Sequence, residues 1–312
     1  MSHERIGVLS GGDSPEREIS FISGEHVSAA LNQRGYNTAL IEIDNLNDLV
    51  PSLAGINAVF NCLHGGTGED GTVQLLFEVL DLPYPGSGPQ ASALCMDKSR
   101  TKEILSRQGI PVPRGTIHKG EDIETLCAAI LVDYELPLVC KPCNQGSSLG
   151  VRIVEHAPDL VKTSFEILSK FGSLLIEEYI PGRELTAGIL LLHGKERVLP
   201  LIEIEPKSGF FDYTAKYSEG MSEFLVPAPL DRETTHLVQE ASLAAHKALG
   251  CSGFSRVDLR LDEEGRPFVL EVNTLPGMTP MSDLPRAAAA ARITFPELVK
   301  IMLETALSRR SL

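Results

Sequence analysis

Residues 253–274, GFSRVDLRLDEEGRPFVLEVNT, decide how the rest of the chain is read. Two runs of alternating apolar and polar residues flank DEEG (262–265), a sequence suited to a tight turn. That pattern is a β-hairpin. Residues two apart share a face of a strand. Arg256 and Asp258 therefore point one way from the first arm, and Glu271 and Asn273 from the second. With the arms side by side, one face carries two carboxylates, an amide oxygen and a guanidinium. Leu259, Leu261, Phe268 and Leu270 line the other parts of the hairpin. An all-oxygen donor set with room for phosphate and water suits Mg²⁺ and argues against zinc. A solvent-facing strand with a surface salt bridge would present the same residues.

Upstream, LPLVCKPCNQGSSLGVRIVE (136–155) reads strand, Gly/Ser loop, strand, which is hairpin syntax rather than strand–loop–helix. Lys141 ends the first of those strands, and the loop after it offers N–H groups and hydroxyls that would cover phosphates; a plain hairpin with a Ser/Gly turn reads the same way. Lys98, early in the helix MDKSRTKEILSRQG (96–109), is a second cation for the same cleft. LLIEEYIPGRE (174–184) closes this unit, and ELTAGILLLHGKERVLPLIEIEP (184–206) is a strand–turn–strand pair about His193–Lys195. The polar stretch KSGFFDYTAKYSEGMSE (207–223) is too rich in Gly, Ser and charge to pack as an element and reads as a lid. RETTHLVQEASLAAHKALG (232–250) is an amphipathic helix.

The first third alternates strand and helix: strands at 5–12, 37–43 and 57–66, helices at 16–35 and 71–83. That order predicts a parallel α/β sheet with ligands at the carboxyl ends of its strands, where GGDSPE and HGGTGED lie. No G-x-x-x-x-G-K-[ST] occurs. The G-x-G-x-x-G at 66–71 has Glu69 and Asp70 in its middle, which would repel a pyrophosphate, and suits an ammonium-bearing substrate beside His64 better.

The 312 residues carry a formal charge of -14 and a pI of about 5.1, so the electrostatic term that drives nucleic-acid binding is missing. Charges or glycines interrupt every apolar run, which predicts no membrane association and a cytoplasmic protein. Of the six cysteines only Cys140 and Cys143 form a C-x-x-C, within the continuation of a strand, so a reduced protein is expected rather than a zinc or redox site.

Seven stretches in order, GGDSPEREIS (11–20), HGGTGEDGTVQ (64–74), GSGPQASALCMDK (86–98), KPCNQGSSLGV (141–151), FDYTAKY (211–217), RVDLRLD (256–262) and EVNTLPGMT (271–279), resemble the D-alanine–D-alanine ligases of the ATP-grasp superfamily. The resemblance spans essentially the whole chain. It implies a three-domain α/β fold: an N-terminal parallel α/β unit (1–93), then two α+β units (94–183 and 184–312) clasping ATP. The implied reaction joins two D-alanines through a D-alanyl phosphate for peptidoglycan synthesis. Phosphoryl transfer asks for positioning and charge neutralisation more than covalent help.

By the same resemblance Glu16 holds the first substrate's ammonium with His64 nearby. Lys98, Lys141 and Ser147 belong with the ATP phosphates, Lys216 with the γ-phosphate, Glu184 with the ribose, and Glu177 and Ile180 with the adenine. Arg256 stabilises the transferring phosphoryl and the oxyanion, helped by the backbone of Gly277. Asp258, Glu271 and Asn273 hold two Mg²⁺ (or Mn²⁺ in their place), Glu271 bridging. Ser147, Tyr217 and Glu16 form a hydrogen-bonded trio that ties the lid to the second-substrate site, Ser147 assisting deprotonation of the amine. Tyr217 favours D-alanine over D-lactate as second substrate. A homodimer is the family expectation. Another amino-acid or depsipeptide ligase of this fold, and a non-catalytic nucleotide-binding protein, are the competing readings.

One departure stands out. After GMT the family carries a serine and then an apolar residue; here Ser282 is followed by Asp283. Ser282 and the next backbone N–H are expected to bind the second substrate's carboxylate. An inward Asp283 would oppose that carboxylate by about 4 kcal/mol at about 4 Å and an effective dielectric of about 20. Asp283 is therefore expected to point outward, or to cap the helix that follows.

Overall fold

The computed structural model describes residues 4–206 and 221–309. Strand β1 (Arg5–Gly11) leads into α1 (Arg17–Gln33), β2 (Asn37–Ile43), the short α2 (Leu49–Ser52), β3 (Ala58–Asn61) and α3 (Thr72–Val79). The three strands are parallel in the order β2-β1-β3. Six of the seven β1 residues and all of β3 are buried, as continuous apolar runs covered on both faces should be.

Helices α4 (Pro89–Met96) and α5 (Lys98–Arg107) follow, separated by Asp97, whose side chain caps α5 by accepting from the N–H groups of Ser99 and Arg100. The sequence reading made one helix of 96–109; the cap breaks it at Asp97, so that Lys98 opens α5.

The next unit comprises β4 (Gly115–Ile117), α6 (Ile123–Asp133), β5 (Leu138–Lys141), β6 (Arg152–Val154), α7 (Ala157–Phe171) and β7 (Leu175–Glu178). Its antiparallel sheet runs β4-β7-β5-β6. Its core (Leu126, Leu138, Leu160, Ile167, Ile176) is its own.

The last unit contains β8 (Arg183–Leu192), β9 (Lys195–Val198), β10 (Ile202–Pro206), β11 (Ser222–Leu225), α8 (Arg232–Ala248), β12 (Phe254–Leu261), β13 (Pro267–Asn273), α9 (Asp283–Ala290) and α10 (Phe295–Arg309). The sheet runs β11-β10-β8-β12-β13, with β9 paired to β8. Ser222 and Glu223, read from sequence as the end of a polar loop, belong to β11 and pair with β10. The rest of that loop reading, apart from Met221, falls on 207–220, outside the described residues.

One core joins Val8 and Phe60 of the parallel sheet to Leu190, Phe254, Leu284 and Met302 of the last unit. A second core lies between β12/β13 and α8. The first and last units thus share apolar packing, whereas the middle sheet is built around its own and meets them across a cleft.

Candidate active site

The β12/β13 hairpin builds the floor. Arg256 stands opposite Asn273 and Asp258 opposite Glu271, so the four residues share one face, as the sequence reading expected. The register then slips, and Leu259 faces Val269, leaving Leu270 as the extra residue of a β-bulge. The slip has a chemical consequence. Val269 and Val272 both enter the core, while Leu270 and Glu271, adjacent in sequence, both face the cleft. The expectation that Leu270 lines another part of the hairpin is corrected by this bulge, which strict alternation cannot foresee.

The cleft is a cavity of about 650 Å³, lined by Glu16, His64, Ser147, Arg256, Asn273, Gly277 and Ser282. A smaller cavity of about 90 Å³ lies between the middle sheet and the hairpin, lined by Lys141, Glu177, Ile180 and Leu270. Lys98, Glu184, Asp258 and Glu271 line both, so the two meet at that wall. Every sequence-predicted site residue in the described part of the chain lies on one cavity or the other. Lys216 and Tyr217 fall outside the described residues.

Arg256 is the charge at the centre. Its Nε and Nη2 donate to the two carboxylate oxygens of Asp258 at 2.9 and 2.8 Å, and Thr186 donates to Asp258 Oδ1 at 2.7 Å. Burial works against the guanidinium's charge, but Asp258, with Asp283 and Glu271 beyond it, holds its pKa well above the ordinary value. Lys98 Nζ lies 3.1 Å from Glu271 Oε2 and donates to the Gln145 carbonyl at 2.6 Å, joining the hairpin to the Gly/Ser loop.

In the smaller cavity Glu177 is sealed between two cations. Lys102 donates to one oxygen at 2.6 Å and Lys141 pairs with the other. Burial works to raise the Glu177 pKa, yet Lys141 and Lys102 hold it below the usual carboxylate range. Desolvation lowers the Lys102 pKa despite its partner. Lys102 escaped the sequence reading, although it follows Lys98 by one helical turn and so shares its face of α5. Arg260 escaped too, although alternation places it next after Asp258. Its Nε donates to the Ile180 carbonyl at 3.0 Å.

At the far wall Ser147 donates to Glu16. Ser147 and Ser148 both have left-handed backbone, φ 50° and 56°, a conformation that costs a non-glycine residue about 1–3 kcal/mol. His64 sits between Ser23, 3.2 Å from its Nε2, and Glu69, 3.6 Å from its Nδ1. Ser282 Oγ accepts from the Thr279 N–H at 3.2 Å. A Cβ on Gly277 would lie 2.8 Å from that oxygen, so a side chain there would displace the Ser282 hydroxyl.

Asp283 is the correction. It opens α9, where a negative charge suits the helix N-terminus, but it lines the cleft, its Oδ2 3.9 Å from Arg256 Nη1, instead of pointing outward. Arg256 supplies the counter-charge that makes this orientation tolerable. All six cysteines are buried and free, and burial pushes the Cys140 thiol up to about 12. No cluster of three metal-ligating acids, histidines or cysteines occurs among the described residues.

The family description "D-ala D-ala ligase C-terminus" matches residues 104–304, and "D-ala D-ala ligase N-terminus" matches 47–87. The chain belongs to the D-alanine–D-alanine ligase family. It is 45% identical to the D-alanine–D-alanine ligase of Desulforudis audaxviator over 98% of this chain and 99% of that protein. It is 40% identical to that of Thermotoga maritima over 97% of each. The fold matches the D-alanine–D-alanine ligase of Bacillus anthracis complexed with ATP at a TM-score of 0.87, with 38% identity over 100% and 99% of the two chains. The VanG D-Ala:D-Ser ligase of Enterococcus faecalis matches at 0.83, with 31% identity over 98% and 99%. The ATP-grasp fold expected from the sequence is the fold observed.

Proposed function

We propose that the cleft ligates two D-alanines to D-alanyl-D-alanine at the expense of ATP, which leaves as ADP and phosphate. The meeting of the two cavities at Lys98, Asp258 and Glu271 supports this reading most directly. A nucleotide in the smaller cavity would present its phosphates there, to a carboxylate held in the larger one.

Lys98 and Lys141 neutralise the phosphates, and Glu184 receives the ribose. Glu177 and Ile180 bound the adenine. Glu16, with His64 near it, holds the ammonium of the first D-alanine. One carboxylate oxygen of that D-alanine attacks the γ-phosphorus and ADP departs, giving the acyl phosphate. The amine of the second D-alanine, relieved of a proton with help from Ser147, then attacks the acyl carbon. The C–O bond to phosphate breaks as the peptide bond forms. Arg256 and the Gly277 backbone face the negative charge that develops in both steps. Ser282 receives the second carboxylate, and Lys216 and Tyr217 act from 207–220.

Asp258, Glu271 and Asn273 fit divalent magnesium. Two carboxylates and an amide oxygen are hard donors, and the register sets the two carboxylates opposite each other. At present they are occupied by Arg256, Lys98 and the Leu275 N–H, cationic or donor groups that a cation would replace. Bound there, two Mg²⁺ would neutralise the charge of the transferring phosphoryl group.

The division into three units belongs to this proposal and is supported by three separate sheets, although a boundary at 93 would cut α4. So do a homodimer, a cytoplasmic location and a role in peptidoglycan precursor synthesis. No helix among the described residues is long and apolar enough to cross a membrane. The test is phosphate release with ATP and Mg²⁺ in the presence of D-alanine, L-alanine, D-serine or D-lactate, with the product mass determined. D-alanine should give the fastest release and the dipeptide mass. No release with D-alanine would overturn the proposal, and a mixed product as the main one when D-serine or D-lactate is added together with D-alanine would reassign the second substrate.

A further inference from the structure

The residues between β7 and β8, 179–182, form a strap that carries the chain from the middle sheet to the last one. Two features of β12 fasten it. At Gly182 (φ +122) a Cβ would lie 2.1 Å from the Leu261 carbonyl oxygen, so the strap presses against the strand where only glycine fits. Arg260 then spreads its guanidinium over the strap. Nε donates to the Ile180 carbonyl at 3.0 Å, and Nη2 donates to the Gly182 carbonyl at 2.9 Å and to the Tyr179 hydroxyl at 3.2 Å. Its central carbon stands 5.3 Å from the centre of the Tyr179 ring. The remaining nitrogen, Nη1, lies 3.5 Å from Glu184 Oε2, and Glu184 is its register partner on β8.

Arg260 itself lines the smaller cavity. Its planar fork suits the task, since a lysine ammonium could not reach two carbonyls, a phenol and a carboxylate at fixed angles.

We infer that Arg260 is a positioning residue for the nucleotide's sugar: it locks the strap and holds the Glu184 carboxylate where a ribose diol would meet it. The inference rests on the reading of the smaller cavity as the nucleotide site. With Arg260 in place a ribose arrives at an ordered carboxylate. Without it Glu184 loses the Arg260 guanidinium, the strap loses two fixed carbonyls, and the preference for a 2′-hydroxyl should fall.

The experiment compares ATP with 2′-deoxy-ATP in the full chain, for wild type, R260M and R260Q, reading kcat and KM for nucleotide and KM for D-alanine. Wild type should prefer ATP. R260M should lose at least about fivefold of that preference and raise KM for ATP, with kcat at saturation and KM for D-alanine within about twofold. If R260M fails to fold, R260Q retains a donor for one strap carbonyl but no charge for Glu184, and should show the same loss. E184Q combined with either variant should lose no more preference than E184Q alone, because both act through one carboxylate. An unchanged ATP to 2′-deoxy-ATP ratio in a folded variant would overturn the inference. So would an equal fall in turnover with both nucleotides. A wild-type enzyme that turns over no ATP at all would overturn the nucleotide site itself, a distinct failure.

Discussion

The two faces of β12 carry groups of similar chemistry with different surroundings. On one face Ser255, His246 and Glu196 form a hydrogen-bonded relay: His246 Nδ1 lies 2.7 Å from Ser255 Oγ, and its Nε2 lies 3.0 Å from Glu196 Oε1. By composition it resembles the serine–histidine–acid arrangement of hydrolases. Ser255 and His246, however, are 0% exposed, and neither lines the large cleft or the smaller cavity beside it. On the other face, one residue along, Arg256 and Asp258 open onto a cleft of about 650 Å³. Side-chain geometry alone does not make a site. Access by a substrate separates the reactive face from the structural one, and the pleat of a single strand is enough to divide them.

The sharpest way to break this contrast is on the open face. Glu271→Gln should lower kcat for ligation by about 10²–10³-fold or more, with the melting temperature nearly unchanged, since Glu271 faces the cleft beside Lys98. Near-normal turnover would remove Glu271 from the chemistry.

The Glu177 ion cluster at the wall of the smaller cavity should respond in stability as well. Lys102→Met leaves the sealed Glu177 carboxylate with Lys141 as its remaining lysine partner, and should cost about 3–5 kcal/mol in denaturant unfolding. The pH dependence has a definite sign. The folded pKa of Glu177 lies below its ordinary value, so its contribution is complete above about pH 4.5 and is lost as pH falls through the folded value. In Lys102→Met that acid loss should be smaller.

Next in size is His246→Asn, which should cost about 1–3 kcal/mol while leaving kcat within about twofold. Burial lowers the His246 pKa even though Glu196 opposes the shift. The unfolded chain therefore takes up a proton first, and stability should decline as pH drops below about 6.5 until the folded value is passed. Melting temperatures measured from pH 7.5 downward should show a shallower decline in the variant. A large loss of kcat would make the closed face a catalytic one.

The smallest effect is expected at Asp283, whose carboxylate is 3.9 Å from Arg256. Asp283→Asn removes a negative charge beside the proposed second-carboxylate site and should lower KM for the second D-alanine by about fivefold or less. An increase would show that Asp283 assists binding.

What the sequence disclosed follows the periodicities that local sterics impose. Alternation paired Arg256 with Asp258 on one arm and Glu271 with Asn273 on the other, and the strand–helix order predicted the parallel β1, β2 and β3. Extending the same alternation by two residues would have found Arg260, and helical spacing from Lys98 would have found Lys102. Other features depend on tertiary contacts that no local pattern encodes. The bulge at Leu270 comes from how β13 meets β12 and the core. The inward turn of Asp283 depends on Arg256, 27 residues earlier in the chain. The buried Ser255 relay needs α8 and β9 to close over it. The resemblance named the family from its motifs, and the geometry added which of their atoms are already engaged.

The central claim is that the open face activates a carboxylate by phosphorylating it. Turnover with ATP and D-alanine carrying ¹⁸O in its carboxylate tests this directly. Attack by that carboxylate on the γ-phosphorus, followed by cleavage of its C–O bond, predicts one labelled oxygen in each phosphate released during dipeptide formation. Unlabelled phosphate accompanying a fully labelled dipeptide would contradict it.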